Sequence, residues 1–115
     1  MFNPLDFLDL AEELKSATDE SKIRTSIGRA YYAAFLHARE WLRGKKWTFY
    51  GDGRDHHEVQ KGIIRYKGRK LKDNMDSLRR DYRNEADYNL RRGFNERDAS
   101  NAIKLAQIVI KGCSS

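Results

Sequence analysis

The sequence predicts an all-α protein, an up-and-down bundle of four to five helices forming one domain over residues 1–115. Three observations predict it. Apolar residues recur at three- and four-residue steps along five stretches, the period of a buried helical face. The single proline, Pro4, stands at the extreme N-terminus, so nothing breaks long helices downstream. The chain is 39% apolar and 35% charged, which suits narrow buried stripes and broad solvated faces. Its six tyrosines, five phenylalanines and two tryptophans need a core, which excludes disorder. No internal repeat or strand pattern stands out.

With 115 residues a single core needs no staple. The lone Cys113 leaves no disulfide or CxxC pair within the chain and points to a reducing compartment. Asp6, Asp9 and Glu12 interrupt the first hydrophobic stretch, so it is not a signal peptide, and no apolar run is long enough to span a membrane. The expectation is a soluble cytoplasmic protein with no membrane partner.

The first helix runs from about Leu5 to Ser16, with Leu5, Leu8, Ala11, Phe7 and Leu14 as its apolar stripe and acids in its front half. The second, about Asp19 to Arg43, is the longest and is expected at the centre. Ile23, Ile27, Ala30, Tyr31, Ala34, Phe35, Ala38, Trp41 and Leu42 track its inner face, and Thr18 or Asp19 caps it. Gly28 inside it suggests a tight helix crossing. Gly44 to Asp55 is a loop carrying Trp47, Phe49 and Tyr50, which either pin it over the core or stack on bases.

Asp55 reads as the N-cap of a third helix to about Tyr66, paired with Glu58 in a capping box, and Gly68 ends it. The fourth helix, about Arg69 to Tyr88, buries Leu71, Met75, Leu78, Tyr82 and Ala86, with Arg79, Arg83 and Asp87 one turn apart on its flank. Asn95, with Asp98 three residues on, caps a fifth helix that ends at Gly112. Tyr31, Tyr32, Phe35, Trp41 and Leu42 are more apolar surface than a small bundle covers easily, so a two-fold homodimer is expected.

Charge is concentrated. Lys61, Arg65, Lys67, Arg69, Lys70, Lys72, Arg79, Arg80 and Arg83 face only Asp73, Asp76 and Asp81 in the same stretch, a local excess of six that equals the net charge of the chain. Such a field favours a phosphate backbone or an acidic protein; the plain alternative is a solvated helix face. Arg29, inside the aromatic run of the second helix, is either a buried ion-pair partner or a further phosphate contact.

Several chemistries are absent from the sequence. The glycines match no nucleotide-binding fingerprint, no HExxH occurs, and no nucleophile elbow is present. His56 and His57 are adjacent, so on a helix they point about 100° apart and do not chelate one metal. No metal or other cofactor is expected.

Ser26-Ile27-Gly28-Arg29-Ala30-Tyr31-Tyr32-Ala33-Ala34-Phe35, His57 near the start of the third helix and Arg83-Asn84-Glu85-Ala86-Asp87-Tyr88 fall in one order along the chain. Together they resemble the small HEPN-domain proteins, in a branch with R-x-x-A-D-Y near the end of the fourth helix. The resemblance implies a helical bundle, commonly dimeric. It also implies a ribonuclease or RNA-binding role in toxin–antitoxin or phage-defence modules, some members being partnered by a nucleotidyltransferase or antitoxin. Active members carry an arginine followed four to six residues later by a histidine. Here Arg83 matches the arginine, but Asp87 and Tyr88 stand where the histidine belongs. Asp87 beside a guanidinium is a poor proton acceptor, and a tyrosine is a poor base near neutrality. The resemblance therefore implies an RNA-binding protein with degenerate ribonuclease chemistry. The alternatives are a metal-independent endoribonuclease using Arg83 with His57, Asp87 or Tyr88, and a non-catalytic subunit that docks a nucleotidyltransferase.

Overall fold

A computed structural model describes residues 1–114; Ser115, the last residue of the expected domain, lies outside the described residues. The helices are α1 (Leu5–Leu14), α2 (Glu20–Gly44), α3 (Asp55–Lys67), α4 (Arg69–Ser77), α5 (Asn84–Tyr88) and α6 (Glu96–Gly112), with a π-helical segment, Leu78–Arg83, between α4 and α5. No strand occurs among the described residues. The backbone stays in the right-handed helical region at Ser77, Leu78, Arg83 and Asn84. Arg69 to Tyr88 is therefore one continuous rod with a wide turn in its second half, and the bundle has the five rods that the periodicity implies. The apolar steps of that rod are those of a plain α-helix, so nothing in the sequence announces the π turn.

The 25 residues of α2 give it a length of about 38 Å at 1.5 Å per residue, close to the 42 Å long axis of the molecule. It packs against α1, α3, α5, α6 and the π segment. Ile27, Ala30, Tyr31, Ala34, Ala38 and Leu42 are wholly or almost wholly buried along it. They meet Val59 and Ile63 of α3, Met75 and Leu78 of the fourth rod, and Ala99, Ala102, Ala106 and Val109 of α6 in one core. Trp47 and Phe49 of the α2–α3 loop close over this core, while Tyr50 stays exposed.

Some local expectations change. Leu5 is exposed rather than part of the stripe. Asp19 stands at the N-cap of α2 but accepts no side-chain capping bond. Asp55 is the first residue of α3 and does not cap it. Its fully buried carboxylate turns back to accept the Tyr50 and Gly51 N–H groups at 2.8 and 3.0 Å, so it shapes the loop instead. The capping box of Asn95 and Asp98 forms as expected. Gly28 does not mark a tight crossing, because a Cβ there would lie an ordinary 4.0 Å from Asp87 Oδ1. The close approaches are at Gly62, where a Cβ would meet Leu42 Cδ1 at 2.6 Å, and at Gly112, where it would meet Leu71 Cδ2 at 2.5 Å. Gly68 takes φ +96°, a left-handed conformation that lets α3 end and α4 begin across a single residue.

The apolar surplus expected of α2 is mostly covered within one chain. Tyr31, Phe35 and Leu42 are buried, and Tyr32 and Trp41 are half-buried. The most exposed large apolar residues in the helices and loops lie elsewhere, at Tyr88 and Leu90.

Candidate nucleic-acid interface

Tyr31 and Tyr32, in the middle of α2, face the first turn of α3 and the π segment. The Tyr31 hydroxyl shares a hydrogen bond with His56 Nδ1. The His56 ring stacks on Phe35 at a centroid distance of 4.5 Å and an interplanar angle of 24°. Burial lowers the His56 pKa to about 4, with the charges of Arg79 and Arg83 adding to the effect. The imidazole is therefore neutral at pH 7. Burial also raises the Tyr31 pKa, so its phenol stays protonated.

Arg83 ties the π segment to α2 and α5. Its Nη2 donates to the Tyr32 hydroxyl at 3.1 Å, and its Nη1 donates to Asn84 Oδ1 at 3.2 Å. Its Nε lies 3.0 Å from Asp87 Oδ2, near enough for an ion pair but off the line that a hydrogen bond needs. The guanidinium also lies against the ring of Tyr32, 5.4 Å from its centroid, and Arg29 approaches the same ring at 5.3 Å. Arg29 is thus an aromatic-stacked cation, held also against Phe7 at 4.7 Å, and makes no ion pair among the described residues.

Arg79 stands one turn before Arg83. Its Nε is buried without a hydrogen-bond acceptor, and no carboxylate of the described residues lies within ion-pair distance. A half-buried guanidinium whose Nε is shielded from water and which has no counter-ion is the kind of group found where a charged ligand is received. Arg79, Arg83, Tyr32 and His56 therefore form a small polar cluster on an apolar floor, rich in donors and carrying net positive charge. It has the elements of an oxyanion or phosphate site. The π turn carries both arginines of the cluster, in keeping with the frequent occurrence of such turns at functional sites.

The other sequence-predicted residues are distributed around this cluster. Asp87 reaches it through Arg83, but its side chain is 37% exposed. Tyr88 is 73% exposed, with Arg83 6.0 Å from its ring centroid. His57 is not brought to Arg83. It lines a separate cavity between α3 and α4, because the residue after His56 on a helix points about 100° away. His56 is the histidine that sequence reasoning passed over; adjacency showed that only one of the two faces α2, not which.

Of the basic stretch, Lys61, Arg65, Lys67, Arg69, Lys70 and Arg80 are exposed, and Lys72 and Arg79 are half-buried. They ring the Gly68 corner and continue along the fourth rod. Lys61 pairs with Glu58, Lys72 with Asp73, and Arg80 with Asp76 and Asp81, while Lys67 lies over Trp41. No group of His, Cys, Asp and Glu able to hold a metal ion occurs among the described residues, and no described helix is long and apolar enough to cross a membrane.

Comparison with known proteins places this bundle. Two uncharacterized proteins of Methanocaldococcus jannaschii are similar to it. One is 54% identical over 46 residues, covering 37% of this chain and 28% of that protein. The other is 51% identical over 46 residues, covering 37% of this chain and 26% of that protein. The alignments thus span little more than a quarter of either relative. No solved structure matches the chain. The HEPN domain family matches residues 5–115, from the first turn of α1 through α6 to the final residue, and the chain belongs to that family.

Proposed function

We propose that this HEPN protein binds single-stranded RNA, with a backbone phosphate received by Arg79 and Arg83 against Tyr32 and His56. The observation that carries the reading is the buried Nε of Arg79, a guanidinium with neither hydrogen-bond acceptor nor counter-ion among the described residues. A phosphate supplies both. The exposed cations around Gly68 extend the positive field along which the rest of the strand would lie. The biological setting proposed is a toxin–antitoxin or phage-defence module. A homodimer and a nucleotidyltransferase or antitoxin as protein partner belong to the same proposal. Fluorescence anisotropy with a labelled RNA hexamer tests the binding: affinity should fall in Arg79→Ala and Arg83→Ala. Undiminished affinity in both variants overturns the assignment.

His56 favours a second reading, metal-independent cleavage. The histidine missing from the fourth rod is replaced in space by one from α3. Attack of a 2′-hydroxyl on the adjacent phosphorus forms the new P–O bond as the P–O5′ bond breaks, and the departing 5′-oxygen takes a proton from water. The 2′ proton needs an acceptor, and charge builds on the non-bridging oxygens. The Tyr31 hydroxyl can accept from Nδ1–H, which leaves the Nε2 lone pair for that proton. A phosphate between Arg79 and Arg83 offsets the charges that depress the His56 pKa and raises its basicity. Incubation of labelled RNA with EDTA separates the readings. Cleavage that resists EDTA and is lost in His56→Ala, but kept in His57→Ala, supports the second; binding without cleavage leaves the first.

A further inference from the structure

A concavity of about 690 Å³ lies between α3 and α4. Tyr50 and Ile64 give it apolar faces, Gln60 and Asp76 line it with hydrogen-bonding groups, and Lys61 and Lys72 add positive charge. It adjoins the arginine cluster through both of its helices. On α3, His56 turns to the cluster while His57 lines the cavity. On the fourth rod, Asp76 lines the cavity, and Arg79 follows one turn later and Arg83 two turns later. Along the rod Asp76 stands roughly 5 Å before Arg79 and roughly 10 Å before Arg83, within reach of adjoining parts of one strand.

The cavity's groups suit a nucleobase. Tyr50 is 58% exposed, and the Arg54 guanidinium lies 4.0 Å from its ring centroid, holding one side of a ring whose remaining surface is open for stacking. The Asp76 side chain is 26% exposed. Its Oδ1 accepts from Gln60 Nε2 over a long 3.4 Å, and its Oδ2 lies 3.5 Å from Arg80 Nη1, so neither oxygen is closely engaged. An ionised carboxylate only accepts, and two parallel donors satisfy both of its oxygens. Of the four RNA bases, guanine alone offers two neighbouring donors on its pairing edge, N1–H and the 2-amino group. Lys61, exposed and paired with the half-buried Glu58, and Lys72, half-buried and paired with the exposed Asp73, can take flanking phosphates.

We propose that this cavity receives a guanine base of single-stranded RNA, stacked on Tyr50 and read by the Asp76 carboxylate, while the neighbouring phosphate lies against Arg79 and Arg83. The proposal rests on the RNA-binding reading above and names its sequence preference.

The test is anisotropy of the full chain with two labelled hexamers, an oligouridine and the same strand with one guanosine. The guanosine strand should bind about tenfold tighter, equivalent to ~1.4 kcal/mol. Inosine in place of guanosine lacks the 2-amino donor and should fall between. Asp76→Asn should erase the preference while keeping oligouridine affinity, and Tyr50→Ala should weaken the guanosine strand about tenfold. Arg83→Ala should weaken both strands alike. Equal wild-type affinities, with both strands still weakened in Arg83→Ala, overturn the cavity proposal and leave the RNA reading standing. A preference that survives in Asp76→Asn overturns the role of that carboxylate. No binding of either strand at low salt overturns both.

Discussion

The hydroxyl of Tyr31 and Nδ1 of His56 share a hydrogen bond that joins the middle of α2 to the first turn of α3. This pair predicts an acid-sensitive fold. In the unfolded chain a histidine takes its proton near pH 6.5. In the folded chain His56 resists protonation down to about pH 4, first through burial and then through Arg79 and Arg83. Between those values the unfolded chain binds more protons. The contribution is therefore complete above pH 6.5 and is lost as pH falls towards 4. The ring is half open to solvent, which reduces the effect to about 1 kcal/mol. Urea unfolding at pH 7 and pH 4.5 checks it: the pH dependence should be smaller in His56→Gln than in the parent.

Arg83→Ala separates binding from folding. Asp87, its ion-pair partner, is 37% exposed, so water can solvate the carboxylate once the arginine is gone. The lost Tyr32 hydrogen bond and ring contacts amount to about 1 kcal/mol. The melting temperature should drop by about 4 °C, while RNA affinity falls severalfold at constant salt. A variant that fails to fold would show that Asp87 lies closer to the core than its exposure indicates.

Arg24 should matter more for stability than any residue of the cluster. Its Nη1 donates to the Ala86 and Asn89 carbonyls at 2.9 and 3.1 Å, and its Nη2 donates to the Arg92 carbonyl. The guanidinium also lies 4.8 Å from the Phe94 ring centroid. It thereby fixes the end of α5 and the turn into α6 against α2. Arg24→Ala strands three carbonyls and should cost about 3 kcal/mol. Arg24→Lys should recover little, since an ammonium lacks the planar fork. Chemical denaturation of the three proteins gives the comparison.

Two glycines make a matched pair. Replacing either with alanine gains helix propensity of about 1 kcal/mol. At Gly62 the new methyl meets Leu42, which is fully buried and has nowhere to turn. Gly62→Ala should destabilise by about 1–2 kcal/mol net, overpacking outweighing propensity. At Gly112 it meets Leu71, which is half-buried and can rotate outward. Gly112→Ala should therefore be neutral within about 0.5 kcal/mol. Thermal melts of the two variants should rank in that order.

RNA affinity should also follow the exposed cations. With n phosphates contacted, the logarithm of affinity should fall with the logarithm of salt at a slope near −0.7n. Reversing the charges of Lys67, Arg69 and Lys70, all exposed, should flatten the slope and weaken every sequence alike. Titrations from low to moderate salt measure this directly.

Helix number, the central place of α2 and the capping box at Asn95 follow from the sequence by itself, because periodicity and caps are local properties that each helix carries in its own residues. The motif residues Arg83 and Asp87 were legible for the same reason: they lie one turn apart on one helix. The π turn of the fourth rod and the partners of Asp55 showed only in the tertiary structure, and the choice between His56 and His57 depended on the angle at which α3 meets α2. Adjacent residues on a helix differ by about 100°, so a small rotation of α3 exchanges which histidine faces Tyr31. Only the packing of Val59 and Ile63 into the common core sets that rotation, and it leaves His56 with the arginines and His57 at the cavity.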